Sequence, residues 1–221
     1  MKGGSYGLIL DLDGTLVDSY EPITESLNHA RAHYDLDALD EPTVRAAVGH
    51  GLESLIEAWV GADRVADGVR LFRERYGEVF AGATRALPGA HDALRTLAET
   101  GFRLALASNK PARFSRPILE SLGWDHWFSA VEGPDTVGAT KPSPAMLLAC
   151  LASLGTAPTE TRYVGDMPLD AISGERAGIE VVLVCGGSAT PEALRAAGAP
   201  VLDGIADLPG HLNDLGWAPA P

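Results

Sequence analysis

The stretch Leu8-Ile9-Leu10-Asp11-Leu12-Asp13-Gly14-Thr15-Leu16-Val17-Asp18-Ser19 decides the fold. Leu8, Ile9, Leu10 and Leu12 read as a buried strand, and two carboxylates and a glycine stand at its end. Buried acids are costly unless they are paired or bound to a cation. A strand that is apolar at consecutive positions belongs to a parallel sheet covered on both faces. Five further runs have the same character: Arg103–Ala107, Phe128–Glu132, Arg162–Val164, Glu180–Cys185 and Pro200–Leu202, with Gly7–Leu12 as the first. Helical patterns alternate with them after residue 88. Ala90, Leu94, Leu97 and Ala98 share one face, and Met146, Leu147, Cys150, Leu151 and Leu154 share another. Ser143-Pro144 reads as an N-cap followed by proline at the first helical position. This alternation predicts a doubly wound α/β core with a parallel sheet.

Residues 18–85 break the rhythm. Leu52, Leu55, Ile56, Trp59 and Val60 fall at helical spacing, as do Val65, Val69, Phe72, Tyr76 and Val79, and Ile23, Leu27 and Ala30. No strand is evident there. The pattern predicts about four helices inserted after the first strand. The expected organisation is therefore core over 1–17, helical insertion over 18–85, and the rest of the core over 86–221. Leu87-Pro88-Gly89 marks the return, and Gly216–Pro221 reads as a frayed tail.

Composition narrows the function classes. With 30 acids against 17 bases the net charge is −13. That argues against nucleic acid and anionic membranes as partners, because both need clustered Lys and Arg. Two cysteines, Cys150 and Cys185, lie in apolar runs and read as small hydrophobes in a reducing compartment. No apolar run approaches the ~20 residues of a membrane span, and Met1–Gly7 lacks a signal-peptide apolar region. A cytoplasmic location is expected, with the chain a monomer or a weak homodimer.

Ligands of open α/β sheets bind outside the carboxyl ends of the strands. Asp11 and Asp13 lie at such an end, and as i and i+2 of a strand they point to one side. Gly14 allows a sharp turn that bares backbone N–H groups, and Thr15 adds a hydroxyl. Carboxylates for a cation beside donors for an anion suit phosphate with Mg²⁺. Other strand ends supply matching parts. Ser108 and Asn109 carry groups that hydrogen-bond phosphoryl oxygens. Lys141 offers one positive charge, and Asp166 and Asp170 are two more acids. Asp11, Asp13, Asp166 and Asp170 against Lys141 leave −3, which demands a divalent cation or a proton. Crowded acids raise one another's pKa, and Asp13 is the expected holder of a proton, the state a general acid needs.

Four motifs then carry a resemblance. They are Asp11–Ser19, Ser108-Asn109-Lys110-Pro111, Lys141-Pro142 and Gly165-Asp166-Met167-Pro168-Leu169-Asp170. Together they resemble the signatures of the haloacid dehalogenase superfamily, and the helical insertion resembles its cap domain. The wording of the second and third motifs is similar to that of the phosphoglycolate phosphatase group. The resemblance implies that Asp11 attacks phosphorus to form an aspartyl-phosphate, and that Asp13 protonates the leaving alkoxide and later takes a proton from water. It implies that Mg²⁺ is held by Asp11, Asp166 and the backbone carbonyl of Asp13, with Asp170 in or next to the ligand set. It assigns the phosphoryl oxygens to Ser108, Asn109, Lys141 and the Gly14-Thr15 backbone. The expected activity is hydrolysis of a small phosphorylated metabolite, 2-phosphoglycolate first, with pyrophosphate or a nucleotide or sugar phosphate as the alternative.

The insertion is expected to act as a lid that excludes water. His50, between Gly49 and Gly51, is the candidate that reaches the substrate, and Arg45 is a second. Asp13 disfavours a dehalogenase. The lysines, Lys2, Lys110 and Lys141, all lie outside the insertion, which disfavours a phosphonate hydrolase that needs a Schiff-base lysine there. Thr15 disfavours a sugar phosphomutase. A phospho-acceptor signalling domain shares the acids, hydroxyl, lysine and Mg²⁺ but lacks such an insertion. Lys110 reads as a loop lysine, Asp18 as a helix N-cap, and Asp35-Leu36-Asp37 as a solvated turn.

Overall fold

A computed structural model describes residues 6–217. In chain order the elements are β1 (Gly7–Leu10), β2 (Val17–Asp18), α1 (Tyr20–Ala32), α2 (Glu41–Ala47), α3 (Leu52–Trp59), α4 (Val65–Ala83), β3 (Arg85–Ala86) and α5 (Ala90–Glu99). Next come β4 (Arg103–Ala107), α6 (Ala112–Ser121), β5 (Phe128–Glu132), α7 (Pro134–Val137), α8 (Ala145–Leu154), β6 (Thr161–Gly165) and α9 (Pro168–Ala177). The chain closes with β7 (Glu180–Val184), α10 (Pro191–Ala196), β8 (Val201–Leu202) and α11 (Leu208–Asp214).

Six strands form one parallel sheet in the order β5-β4-β1-β6-β7-β8. The doubly wound prediction is borne out. Side chains that alternate along each strand feed two cores. Leu8, Leu10, Leu104, Leu106, Val164 and Val182 pack on one face with α5, α6 and α11. Ile9, Ala105, Ala107, Tyr163, Val181 and Leu183 pack on the other with α8. Both faces being covered is why these strands read as continuous apolar runs.

The insertion has its own core. Ile23 and Leu27 of α1, Val44 of α2, Leu55 and Ile56 of α3, and Val69, Phe72 and Tyr76 of α4 are buried together. Asp40 caps α2 by accepting from Thr43 N–H at 3.0 Å, with Pro42 in its first turn. The two chain crossings lie side by side: β2 and β3 pair antiparallel, Val17 with Ala86 and Asp18 with Arg85. That ribbon was not anticipated, because two residues are too short to show a period-two pattern.

Boundaries differ elsewhere for local reasons. β1 ends at Leu10 rather than Leu12. Asp11 N–H still bonds Val164 O at 2.9 Å, but the Leu12 N–H turns to the Asp11 carboxylate and Leu12 O accepts from Leu16 and Val17. The loop wraps on Leu12, so strand alternation does not set the directions of Asp11 and Asp13. Helix α8 begins at Ala145 with Pro144 as its cap residue, and Ser143 Oγ accepts from Ala145 N–H at 3.3 Å. Asp18 takes the N–H of Tyr20 and the guanidinium of Arg45. Asp35 sits at φ 55 in an exposed turn. Of the expected frayed tail, residues 218–221 lie outside the described residues, while Trp217 packs against Tyr6 with ring centroids 4.5 Å apart and the planes tilted by 31°. Among the described residues no helix is long and apolar enough to cross a membrane.

Candidate active site

The first strand lies in the middle of the sheet. The chain winds to one side through β4 and β5, then returns to the other through β6, β7 and β8. This reversal leaves a crevice between the carboxyl ends of β1 and β6, where such sheets bind ligands. Asp11 follows β1 directly and Asp166 follows β6 directly. Asp170 stands in the first turn of α9, the helix that follows.

Asp11, Asp166 and Asp170 are all buried and each offers an oxygen within 4.8 Å of the others. Lys141 joins them. Its Nζ donates to Asp11 Oδ2 at 2.7 Å, to Asp170 Oδ1 at 2.7 Å and to the Tyr163 hydroxyl at 3.0 Å. Burial pulls the lysine down, but Asp11 and Asp170 outweigh it and hold it above its ordinary range. Asp11 is raised by burial, with Lys141 opposing. Asp166 is raised well above the carboxylate range, by burial first and then by the charges of Asp170 and Asp11. Its oxygens accept from Thr15 Oγ1 at 3.3 Å and from Ser188 N–H at 3.1 Å, and among the described residues no lysine hydrogen-bonds it. Gly14 and Gly187 press against this carboxylate so closely that a Cβ on either would overlap it. A dry cluster of three acids with one cation fits a small divalent ion with oxygen ligands. Asp11, Asp166 and Asp170 are the residues that could hold it.

A consequence is testable on stability. A carboxyl whose folded pKa is raised destabilises the fold only as pH rises above its unfolded value. Asp166→Asn is therefore expected to raise the melting temperature of the metal-stripped protein at pH 8, by about 2–4 °C for each kcal/mol of relieved repulsion. The gain should fade as pH falls toward the unfolded carboxylate range, and added Mg²⁺ should reverse the order of the two proteins. Scanning calorimetry in EDTA across pH checks it, and an equal melting temperature at pH 8 would count against the crowding.

Asp13 lies apart from this cluster. Its Oδ1 accepts from Ser19 Oγ at 2.5 Å, and Lys110 Nζ lies 2.8 Å from Oδ1 and 2.7 Å from Oδ2. Lys110 does lie in a loop, after β4, but it is buried rather than solvated: only 6% of its side chain is exposed, and its ammonium lies 5.1 Å from the centre of the Tyr76 ring of the insertion. Counting Lys110, the four acids and two lysines sum to −2 rather than −3. The carboxyl on which burial and like charge converge is Asp166, and Asp13 is the one balanced by a cation.

The remaining expected residues divide. The Ser108 hydroxyl is placed beside Asp11, where it favours the ionised carboxylate, and it also accepts the Lys110 N–H at 3.3 Å. Asn109 spans two loops: its Nδ2 donates to Gly49 O at 2.9 Å and its Oδ1 accepts from Lys141 N–H at 2.7 Å. The Gly14 N–H is used within the turn, on Val17 O at 2.8 Å, and the Thr15 N–H leans on Leu12 O at 3.3 Å. Neither is bared for an anion, and Thr15 contributes through its hydroxyl. His50 is exposed and does not line the cavity. Its loop does reach the core, but through the backbone of Gly49, which sits against Met167. Arg45 is tied to Asp18 and Glu41 and lies over the Tyr20 ring. Lys110, Ser19, Tyr163 and Ser188 were missed. Tyr163 carried a signal, since a tyrosine inside a buried strand needs a partner for its hydroxyl; it donates to Asp170 at 2.7 Å.

Above the acids lies a cavity of about 100 Å³ between sheet and insertion. Its floor holds Asp11, Asp13, Ser108, Lys110 and Lys141, and its roof is Tyr20, Ile23, Leu52, Leu55, Phe72 and Tyr76.

Comparison with known proteins follows the same line. The model of a family described as haloacid dehalogenase-like hydrolase matches residues 8–184. Phosphoglycolate phosphatase of Chromobacterium violaceum is 36% identical over 194 residues, covering 84% of this chain and 87% of that protein. Phosphoglycolate phosphatase of Rhodospirillum rubrum is 37% identical over 213 residues, covering 91% and 88%. The crystal structure of a predicted phosphoglycolate phosphatase from Haemophilus somnus superimposes with a TM-score of 0.85 at 27% identity, over 94% of this chain and 97% of that one.

Proposed function

Because the chain belongs to the haloacid dehalogenase-like hydrolase family, we propose that it is a Mg²⁺-dependent phosphatase of a small phosphomonoester, with 2-phosphoglycolate as the substrate. The observation that carries the reading is the convergence of Asp166 and Asp170 on Asp11 and Lys141, which stand on the floor of a cavity roofed by the insertion. The names of the relatives support the choice of substrate. The two cysteines, Cys150 and Cys185, are free, which accords with a cytoplasmic location. A monomer or weak homodimer belongs to the same proposal.

In this reading a carboxylate oxygen of Asp11 attacks phosphorus. Lys141 and the Leu12 N–H hold that carboxylate in place. Asp13, fixed by Ser19 and Lys110, takes up a proton as the substrate enters and gives it to the leaving oxygen, and the alcohol departs. Water then attacks the aspartyl-phosphate, Asp13 takes the water's proton, and phosphate leaves with Asp11 restored. Splitting one displacement into two easier ones is the logic of covalent catalysis. A bound divalent ion would supply charge neutralisation at the phosphoryl oxygens. Tyr163 and Asp170 keep the Lys141 ammonium aimed at Asp11. The apolar roof excludes water from the reaction.

The test is a panel containing 2-phosphoglycolate, pyrophosphate, a sugar phosphate and a nucleoside monophosphate, assayed with Mg²⁺ and with EDTA. Release of phosphate from 2-phosphoglycolate is expected to dominate, to fall at least ~100-fold in EDTA and to return with excess Mg²⁺. Faster turnover of pyrophosphate would replace the substrate. The roof of Ile23, Leu52, Leu55 and Phe72 suits a carbon skeleton better than a second phosphate.

A further inference from the structure

The cavity contains more than a phosphate needs. If phosphorus docks at Asp11, as the reading above requires, the rest of the substrate lies between Asp13 and the roof. The roof offers no charge: Ile23, Leu52, Leu55 and Phe72 are apolar, and Tyr20 and Tyr76 are neutral. Two ammonium groups line the cavity, those of Lys141 and Lys110. Lys141 has three N–H donors and three partners, on Asp11, Asp170 and Tyr163, at 2.7–3.0 Å. It is fully committed to the floor. Lys110 is not. Its ammonium contacts both oxygens of the single carboxylate of Asp13, and its distance to Ser19 Oγ is 3.5 Å, at the limit of a hydrogen bond. It stands where the acids end and the apolar roof begins, against the ring of Tyr76.

We infer that Lys110 is the residue that reads the substrate: its ammonium binds a carboxylate carried one or two carbons from the phosphate, and so selects short doubly anionic phosphomonoesters over neutral ones. Among the described residues such an anion has no other free cationic partner in the cavity, since Lys141 is committed to the floor, His50 is exposed and Arg45 is occupied by Asp18 and Glu41. A carboxylate pressed on the roof without a partner would be expensive. A charge-assisted hydrogen bond in a dry site discriminates by about 10- to 100-fold. The arrangement also explains why a small cavity with an apolar roof accompanies an ionic substrate: the roof covers the carbon between two anchored ends.

The experiment compares 2-phosphoglycolate with ethyl phosphate, which keeps two carbons and lacks the carboxylate. The wild-type protein, Lys110→Met and Lys110→Arg are assayed with Mg²⁺. The wild type should favour 2-phosphoglycolate. Lys110→Met should slow both esters, because Lys110 also steadies Asp13, but should lower kcat/KM for 2-phosphoglycolate about 10- to 100-fold more than for ethyl phosphate, the excess lying in KM. Lys110→Arg should keep part of the preference. Equal losses on both substrates would overturn the assignment and leave Lys110 as a support for Asp13. A second arm needs no variant: phosphonoacetate should inhibit the wild type at least about tenfold more tightly than ethylphosphonate, and equal inhibition would overturn the assignment even if Lys110→Met fails to fold. Comparable turnover of both esters by the wild type removes the role of Lys110 while the phosphatase reading stands. Turnover of neither removes the phosphatase reading itself.

Discussion

Asp11→Asn is expected to abolish turnover of every phosphomonoester the protein accepts, by at least about 10⁴-fold in kcat. The amide oxygen is a poor nucleophile, so no covalent intermediate forms. The fold should tolerate the change. Asp11 is a buried acid among acids, and Lys141 keeps Asp170 and Tyr163 as partners when one charge is removed. The variant should therefore melt within a few degrees of the wild type while losing activity. Phosphate release followed in a single turnover checks it. Retention of more than about one per cent of the rate would remove Asp11 from the nucleophile's place.

Lys141→Met is expected to damage both stability and activity. It leaves Asp11 and Asp170 buried, close and without a cation, each only a few per cent exposed. Breaking a buried pair in this way costs about 3–5 kcal/mol, or roughly 6–20 °C in melting temperature for a chain of this size. Activity should fall by at least about 100-fold, since the ammonium holds the attacking carboxylate. Combining it with Asp170→Asn should recover part of the stability, because one uncompensated charge is gone, but none of the activity. Thermal melts in EDTA, run beside kinetics with Mg²⁺ on all four proteins, separate the two effects. A double variant that melts no higher than Lys141→Met alone would show that the destabilisation does not come from the unpaired acid.

Most of the architecture was legible because the sheet is covered on both faces. Burial on two sides makes consecutive positions of β1, β4, β6 and β7 apolar, with Arg103, Thr161, Arg162 and Glu180 confined to the strand starts, and that signal survives without tertiary information. The helical insertion was legible for a similar reason, since each helix presents an apolar stripe to a common core. The chemistry of the floor was legible only as a set of residue types at strand ends. Geometry added what the letters could not. Lys110 carries the same letter in a solvated loop and in a buried pair, and only the packing of the loop after β4 against Asp13 tells them apart. Asn109 was read as a phosphate donor from its amide, yet that amide spans from the Gly49 carbonyl to the Lys141 N–H. His50 drew attention through the glycines beside it. Those glycines serve the backbone, since Gly49 has φ 126 and lies against Met167, and the imidazole is left outside.

The ribbon of Val17-Asp18 with Arg85-Ala86 has an evolutionary meaning. Departure and re-entry of the polypeptide are held about 5 Å apart, the spacing of adjacent strands. Whatever is threaded between them inherits a ready-made closure, and lengthening it adds little entropic cost. Residues 20–84 can therefore be treated as an exchangeable cassette. A chimera carrying a foreign helical unit between Ser19 and Arg85 should keep the hydrolytic floor and acquire the donor's taste in leaving groups.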